Sequence, residues 1–261
     1  MSRQLGWRTR ANFLDRLLVY HPGPWIERDW GKTSRLPLQD VWFSSGDGTK
    51  LFGWYVEASA PAGVLLWCHG NAGNIIHRLE NLAELYRIGL SVFLFDYRGY
   101  GKSGGIPSEE GLYQDAVAAY AYLTTTRGIR ADRLVLFGRS LGACVAGTLA
   151  GQRPVAGVIL ESPFPSIKAV VQATVGFPAH WLLESRYPLV ERLKAIRAPI
   201  LVFHGDQDTI IPMRLGREVY EAAPTPKFWY VIEGANHNDT YLVGGQRYFS
   251  RVKRFVEEVA R

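Results

Sequence analysis

Residues 133–151, RLVLFGRSLGACVAGTLAG, limit the possible folds more than any other stretch of this chain. An apolar run, Leu134 to Phe137, passes directly into Gly138-Arg139-Ser140-Leu141-Gly142 and then into a helix-like stretch of small residues. A buried strand that turns at once into a helix leaves the serine at the apex of a strained turn. Bulky neighbours there would collide with adjacent backbone. The two glycines meet that requirement, and Gly142, Ala143, Ala146, Gly147 and Ala150 would let the helix lie close against a sheet. The pattern is the G-x-S-x-G elbow, with the strand before it and the helix after it that the motif demands.

The flanking sequence repeats this alternation. Gln39 to Ser44 and Leu51 to Glu57 read as strands joined through Gly46-Asp47-Gly48, a hairpin signal. Val64 to Cys68, Val92 to Phe95, Val158 to Leu160, Ile200 to Phe203 and Phe228 to Ile232 read as further strands, several of them continuous apolar runs. Between them lie helical patterns opened by Asn74, Ser108 and Pro212, and a last amphipathic helix carries Phe249, Val252, Phe255, Val256 and Val259. A hairpin followed by strand–helix alternation predicts an α/β fold: a mostly parallel sheet of about eight strands with helices on both faces. The expected organisation is an amphipathic extension over residues 1–35 and one domain over 36–261. Residues 163–198, with Pro163, Pro165, Pro178 and Pro188, interrupt the alternation as a short lid insertion.

Charge excludes one class of function. The net charge is +6, but residues 1–35 hold seven basic against three acidic residues, which leaves +4 there and +2 on the rest. A near-balanced body with no basic stripe argues against nucleic acid as a partner. No apolar stretch reaches the roughly 18 residues of a membrane span, and no apolar core follows the basic N-terminus as in a secretory leader. Two cysteines, Cys68 and Cys144, both in segments read as buried, fit a reducing compartment such as the cytoplasm. Phe13 to Leu18 has apolar positions at helical spacing flanked by arginines. Residues 1–20 could therefore touch an anionic membrane surface peripherally, although so short an apolar stretch favours packing on the domain itself. Gly99-Tyr100-Gly101-Lys102-Ser103-Gly104 matches G-x-G-x-x-G, but the helix starts only at Ser108, so the glycines cannot hold a pyrophosphate and read as a tight turn. No histidine pair has zinc-ligand spacing. Neither a cofactor nor a metal is expected.

Sheets of this kind place their sites at the carboxyl ends of the strands. His69-Gly70-Asn71, Ser140, Asp206-Gln207-Asp208 and Asn236-His237 all fall there. A serine hydroxyl needs an adjacent base, and a carboxylate must hold that base in the right tautomer. His237, in a polar loop after the last strand, is the candidate general base for the nucleophile Ser140. Asp208 is the candidate orienting acid, since Asp206 sits at the turn itself, where an aspartate caps local backbone. Glu161, at the end of the strand before the insertion, is the outside candidate for the acid. Two backbone N–H groups must face a developing oxyanion. Leu141 supplies one, and Asn71, in a loop of small residues, the other. His69 reads as a structural, hydrogen-bonding histidine.

Taken with Asp96-Tyr97-Arg98-Gly99-Tyr100-Gly101-Lys102-Ser103 and Asn74, these motifs resemble the α/β-hydrolase superfamily, most nearly its small short-lid serine hydrolases. That group includes carboxylesterases and protein depalmitoylases, and the likeness runs from about residue 40 to the C-terminus. The cysteine-free first 35 residues depart from the cysteine-rich, acylated N-terminus of the depalmitoylases. The resemblance implies a serine hydrolase that cleaves esters of small to medium acyl chains through an acyl-enzyme. Alternatives on the same triad are an acyl-protein thioesterase, a lipase or a peptidase. From another class comes a non-catalytic binding protein of the same fold. Within the insertion, Phe164, Phe177, Trp181, Leu182, Leu183 and Tyr187 are candidates to line an acyl pocket, with ordinary packing against the body as the alternative for each.

Overall fold

The computed structural model describes residues 13–174 and 183–260. Eight strands form the central sheet: β1 (Gln39–Ser44), β2 (Lys50–Val56), β3 (Val64–Cys68), β4 (Ser91–Asp96), β5 (Leu134–Arg139), β6 (Gly157–Glu161), β7 (Ile200–Gly205) and β8 (Lys227–Ile232). Their spatial order is β8-β7-β6-β5-β3-β4-β2-β1. Only the hairpin side is antiparallel: β1 with β2 and β2 with β4. At the turn between β1 and β2, Gly48 adopts φ +85°, and the Asp47 carboxylate accepts from the Thr49 N–H at 3.1 Å. That geometry is costly for residues with a Cβ and free for glycine.

β3 and β5 are neighbours in register, Trp67 opposite Phe137 and Cys68 opposite Gly138. The loop after β3 and the elbow after β5 therefore emerge side by side. Both sheet faces are buried. Leu66, Phe95, Leu136, Leu160 and Val202 belong to the core on one face, and Trp67, Leu94, Phe137, Ile159 and Phe203 to the core on the other. The Trp67 and Phe137 rings stack with centroids 5.1 Å apart. Truncating Phe137 to alanine there costs about 3–5 kcal/mol in lost burial and cavity. Cys68 and Cys144 are free and buried, and burial pushes the Cys68 thiol up to about 12.

Helices α1 (Phe13–Leu18), α2 (Leu79–Arg87), α3 (Glu109–Ala121), α4 (Leu141–Ala150), α5 (Ile167–Thr174), α6 (Leu189–Leu193), α7 (Met213–Ala222) and α8 (Thr240–Val259) surround the sheet. Asn74 does not open one continuous helix. Its carboxamide oxygen accepts from the Ile76 N–H at 3.0 Å, and His77 Nδ1 accepts from the Asn74 N–H at 3.2 Å. This reciprocal cap tightens Ile75–Arg78 into a 3₁₀ turn before α2 begins. Gly99 and Gly101, both at positive φ, form the tight turn expected after β4. Arg98 fastens that turn to α3 through Asp115 and to the hairpin through Asp47, each at 2.8 Å.

The N-terminal helix departs from its sequence pattern. Leu17 and Leu18 are exposed, whereas Asp15 is buried. The Asp15 carboxylate accepts from the Glu184 N–H (3.0 Å) and from the Ser185 N–H and hydroxyl (both 2.8 Å). Three donors satisfy the buried carboxylate and decide which face turns inward.

Helix α4 sits so close to β3 that a Cβ on Gly142 would lie 2.0 Å from the Cys68 carbonyl oxygen, while one on Gly46 would meet nothing within 4 Å. Gly142→Ala is therefore expected to lose about 2–4 kcal/mol of stability. Gly46→Ala should change it by less than about 0.5 kcal/mol. Denaturant unfolding of the two variants checks the contrast.

Candidate active site

Ser140 stands between the last residue of β5 and the first of α4, with φ 52° and ψ −119°. A non-glycine residue at positive φ costs about 1–3 kcal/mol and needs its surroundings to enforce it. Here the Ser140 N–H donates to the Glu161 carbonyl at 2.8 Å, and its carbonyl accepts from the Ala143 N–H at 2.9 Å. Gly138 and Gly142 are the positions where a side chain would break this turn: a Cβ on Gly138 would lie 2.4 Å from the Gly142 carbonyl oxygen. Leu141 is the first residue of α4, so its N–H has no acceptor within its own helix.

The loops after β7 and β8 bring Asp208 and His237 together. His237 Nδ1 lies 2.7 Å from Asp208 Oδ2. Because a carboxylate only accepts, Nδ1 carries the proton and Nε2 presents its lone pair. The other Asp208 oxygen accepts from the Ile210 and Ile211 N–H groups at 3.0 and 2.7 Å. Burial alone would raise the Asp208 pKa. The hydrogen bonds from His204 and His237, the charge His237 can carry and the Ile211 N–H outweigh it and hold the carboxyl well below the usual carboxylate range. Asp206 is exposed and accepts from the Gly234 N–H at 2.7 Å, a capping role.

Glu161 does not reach His237. Its carboxylate lies 3.0 Å from Arg139 Nε and accepts from the Thr240 and Tyr248 hydroxyls. The outside candidacy of Glu161 as the acid is thereby corrected, because the adjacent arginine and two hydroxyls of α8 take up its oxygens. Arg139 in turn donates to the His237 carbonyl and, at 3.1 Å, to the Asn238 side chain. The loop that carries His237 is thus fastened to the residue immediately before Ser140.

On the other side, a Cβ on Gly70 would lie 3.7 Å from Ser140 Cβ, so the loop after β3 lies alongside the serine. The side-chain oxygen of Asn71 accepts from the His21 N–H and the Tyr100 hydroxyl, both at 3.2 Å. The Asn71 N–H has no hydrogen-bond partner among the described residues. His69 is fully buried; Nδ1 lies 2.7 Å from the Gly70 carbonyl and Nε2 3.5 Å from Asp96 Oδ1. Burial pushes the Asp96 carboxyl up, against the opposing pull of His69 and the Ile75 N–H.

Of the aromatic candidates, Phe164 and Tyr187 are buried in the core on one sheet face. Tyr187 packs against Tyr113 and hydrogen-bonds Tyr20 at 2.8 Å. Leu183 is half-buried, and Phe177, Trp181 and Leu182 lie outside the described residues. Two residues contribute with no role assigned from the sequence: Arg139, in the variable position of G-x-S-x-G, and His204, which opens the run His204-Gly205-Asp206-Gln207-Asp208 and whose Nε2 lies 2.8 Å from the Ile211 carbonyl and 3.4 Å from Asp208. The spacing of His204 and Asp208 across a turn is the one sequence signal for the latter.

The family model described as serine aminopeptidase, S33, matches residues 59–194. An uncharacterized protein of Mycobacterium tuberculosis is 41% identical over 253 residues, covering 94% of this chain and 88% of the relative. The alpha/beta hydrolase domain-containing protein 17B of Homo sapiens is 32% identical over 242 residues, covering 88% and 80%. An esterase of Pyrococcus furiosus has the same fold, with a TM-score of 0.77 at 22% identity over 93% of this chain and 99% of that one.

The depressed Asp208 carboxyl sets a pH dependence. Its contribution to stability is fully present above the unfolded-state value of about 4 and is lost as pH falls from there towards the lower folded-state value. Asp208→Asn should therefore flatten the fall of melting temperature below about pH 4. Melting curves of the two proteins across pH 2–7 read this directly.

Proposed function

From the premise that the chain belongs to the α/β-hydrolase superfamily, we propose that it is a serine hydrolase that cleaves carboxylic esters through an acyl-enzyme. The single observation that supports this most is the 2.7 Å contact of His237 Nδ1 with Asp208. It leaves the imidazole on a loop whose main chain is tied to Arg139, the residue before Ser140. In this reading Ser140 Oγ attacks the acyl carbon as His237 Nε2 takes its proton. The carbonyl π electrons move onto oxygen, where the Leu141 and Asn71 N–H groups receive the negative charge. Collapse expels the alcohol, which leaves with the proton from His237. Water, deprotonated by the same histidine, then splits the acyl-enzyme, and Ser140 recovers its proton. Asp208 stays ionised and keeps the imidazole in the productive tautomer.

Substrates in this reading are esters of small or medium acyl chains. Purified protein should turn over nitrophenyl esters, fastest for short chains, and react with a fluorophosphonate at Ser140. Ser140→Ala should abolish both, and Asp208→Asn should lower kcat by about 10⁴-fold with the fold intact. A folded wild-type protein that gives no adduct would instead favour a binding protein. Parallel aminoacyl anilides, turned over faster than esters, would move the assignment to a peptidase.

A further inference from the structure

The loop that carries Asn71 is intrinsically loose. Gly70 precedes it and Gly73, at φ +79°, closes it, so little in its own sequence fixes the direction of the Asn71 peptide. An oxyanion donor acts only if it is aimed beforehand, and a misplacement of about 1 Å can cost on the order of 100-fold in rate. The Tyr100 hydroxyl holds the Asn71 side-chain oxygen at 3.2 Å, and further restraint comes from the N-terminal stretch. His21–Pro22 pairs in parallel with Ala72–Gly73, and the Gly23 N–H donates to the Gly73 carbonyl at 3.0 Å. The His21 N–H holds the Asn71 side-chain oxygen, and Asn74 Nδ2 donates to the Gly23 and Pro24 carbonyls at 3.1 and 3.0 Å. The loop is thus gripped both at Asn71 and at the three residues after it.

The same stretch is anchored at its other end. Asp15 is buried, and its donors among the described residues come from Glu184 and Ser185. Tyr20, also buried, bonds Ser185 Oγ at 3.0 Å and the Tyr187 hydroxyl at 2.8 Å. An ordinary terminal helix would bury leucines; this one exposes Leu17 and Leu18 and spends a buried carboxylate on the backbone of residues 184–185.

We propose that residues 15–24 form a positioning strap, which ties the segment at 184–187 to the loop of Asn71 and thereby aims the Asn71 N–H at the developing oxyanion. The strap touches neither substrate nor the reacting atoms, and the proposal rests on the reading of Asn71 as the second oxyanion donor.

The test uses full-length variants Asp15→Ala, Tyr20→Phe and Asn71→Ala, assayed on a nitrophenyl ester beside Ser140→Ala. Asn71→Ala is expected to lower kcat about 10- to 100-fold. KM should stay within about twofold, because the donor works only on the transition state. Asp15→Ala, remote from the chemistry, should show the same split and a parallel fall in the rate of fluorophosphonate labelling. The acid limb of the pH profile should not move, since the His237–Asp208 pair is untouched. Adding Asn71→Ala to Asp15→Ala should cost much less than the product of the two single losses, because both act through one loop. Where Asp15→Ala does not fold, Tyr20→Phe, the loss of one hydroxyl, decides by the same kcat-against-KM split. Folded strap variants with unchanged kcat, or with losses confined to KM, overturn the strap while an inactive Ser140→Ala leaves the functional reading standing. An active Ser140→Ala overturns both.

Discussion

The elbow and the His237 loop at the sheet's carboxyl edge meet at one buried ion pair. Arg139 Nε lies 3.0 Å from Glu161 Oε1, with both side chains almost wholly out of water. Removing two charges from solvent costs several kcal/mol per ion unless hydrogen bonds satisfy the remaining sites. Here the Thr240 and Tyr248 hydroxyls complete the carboxylate, and the His237 carbonyl with Asn238 takes up Nη2 of the guanidinium. The pair therefore joins β5, β6, the His237 loop and α8. The guanidinium reaches both sides at once: Nε faces the carboxylate as a charge contact without a hydrogen bond, while Nη2 donates to the His237 loop.

The strained serine draws on the same structure. Its N–H is held by the carbonyl of Glu161, the residue whose carboxylate holds Arg139. Backbone and side chain of Glu161 thus control adjacent residues of the elbow, one through a neutral hydrogen bond and one through charge. Positive φ at Ser140 can persist because the elbow cannot relax without breaking one of these contacts or moving Gly142 from its close approach to the Cys68 and His69 carbonyls. Strain of about 1–3 kcal/mol is small beside the combined cost of those losses.

What was legible in the sequence is what is local. The elbow, the order of strands and helices, and the pairing of Asp208 rather than Asp206 with His237 all follow from patterns a few residues long at strand ends. The buried face of α1 was not legible. Helical periodicity weighs side-chain polarity, and it places Asp15 outside; the donors that bring it inside are backbone groups near residue 185, which no local pattern announces. Glu161 was misjudged for the same reason. Its partners Thr240 and Tyr248 come from a helix that the sequence marks only by its apolar stripe, and the stripe says nothing about hydroxyls between the apolar positions. The 3₁₀ turn at Ile75–Arg78 shows the limit at an element boundary: Asn74 is a cap, as read, but His77 converts it to a reciprocal cap that shortens the first turn.

The separation of roles between the two buried carboxylates then follows from register. Arg139 and Glu161 are direct partners across the parallel β5–β6 pair, so the variable residue of the elbow and the last residue of the next strand meet automatically. With arginine in that position Glu161 is neutralised where it stands and has no reason to seek an imidazole. Asp208 lies one strand further out, beyond the end of β7, with no cation of its own. Its neighbours are His204, His237 and the N–H groups of Ile210 and Ile211, all of which favour the ionised carboxylate. Identical chemistry in the two side chains is thus divided by the residue beside the serine: Arg139 consumes one carboxylate as structure and leaves the other to the histidine.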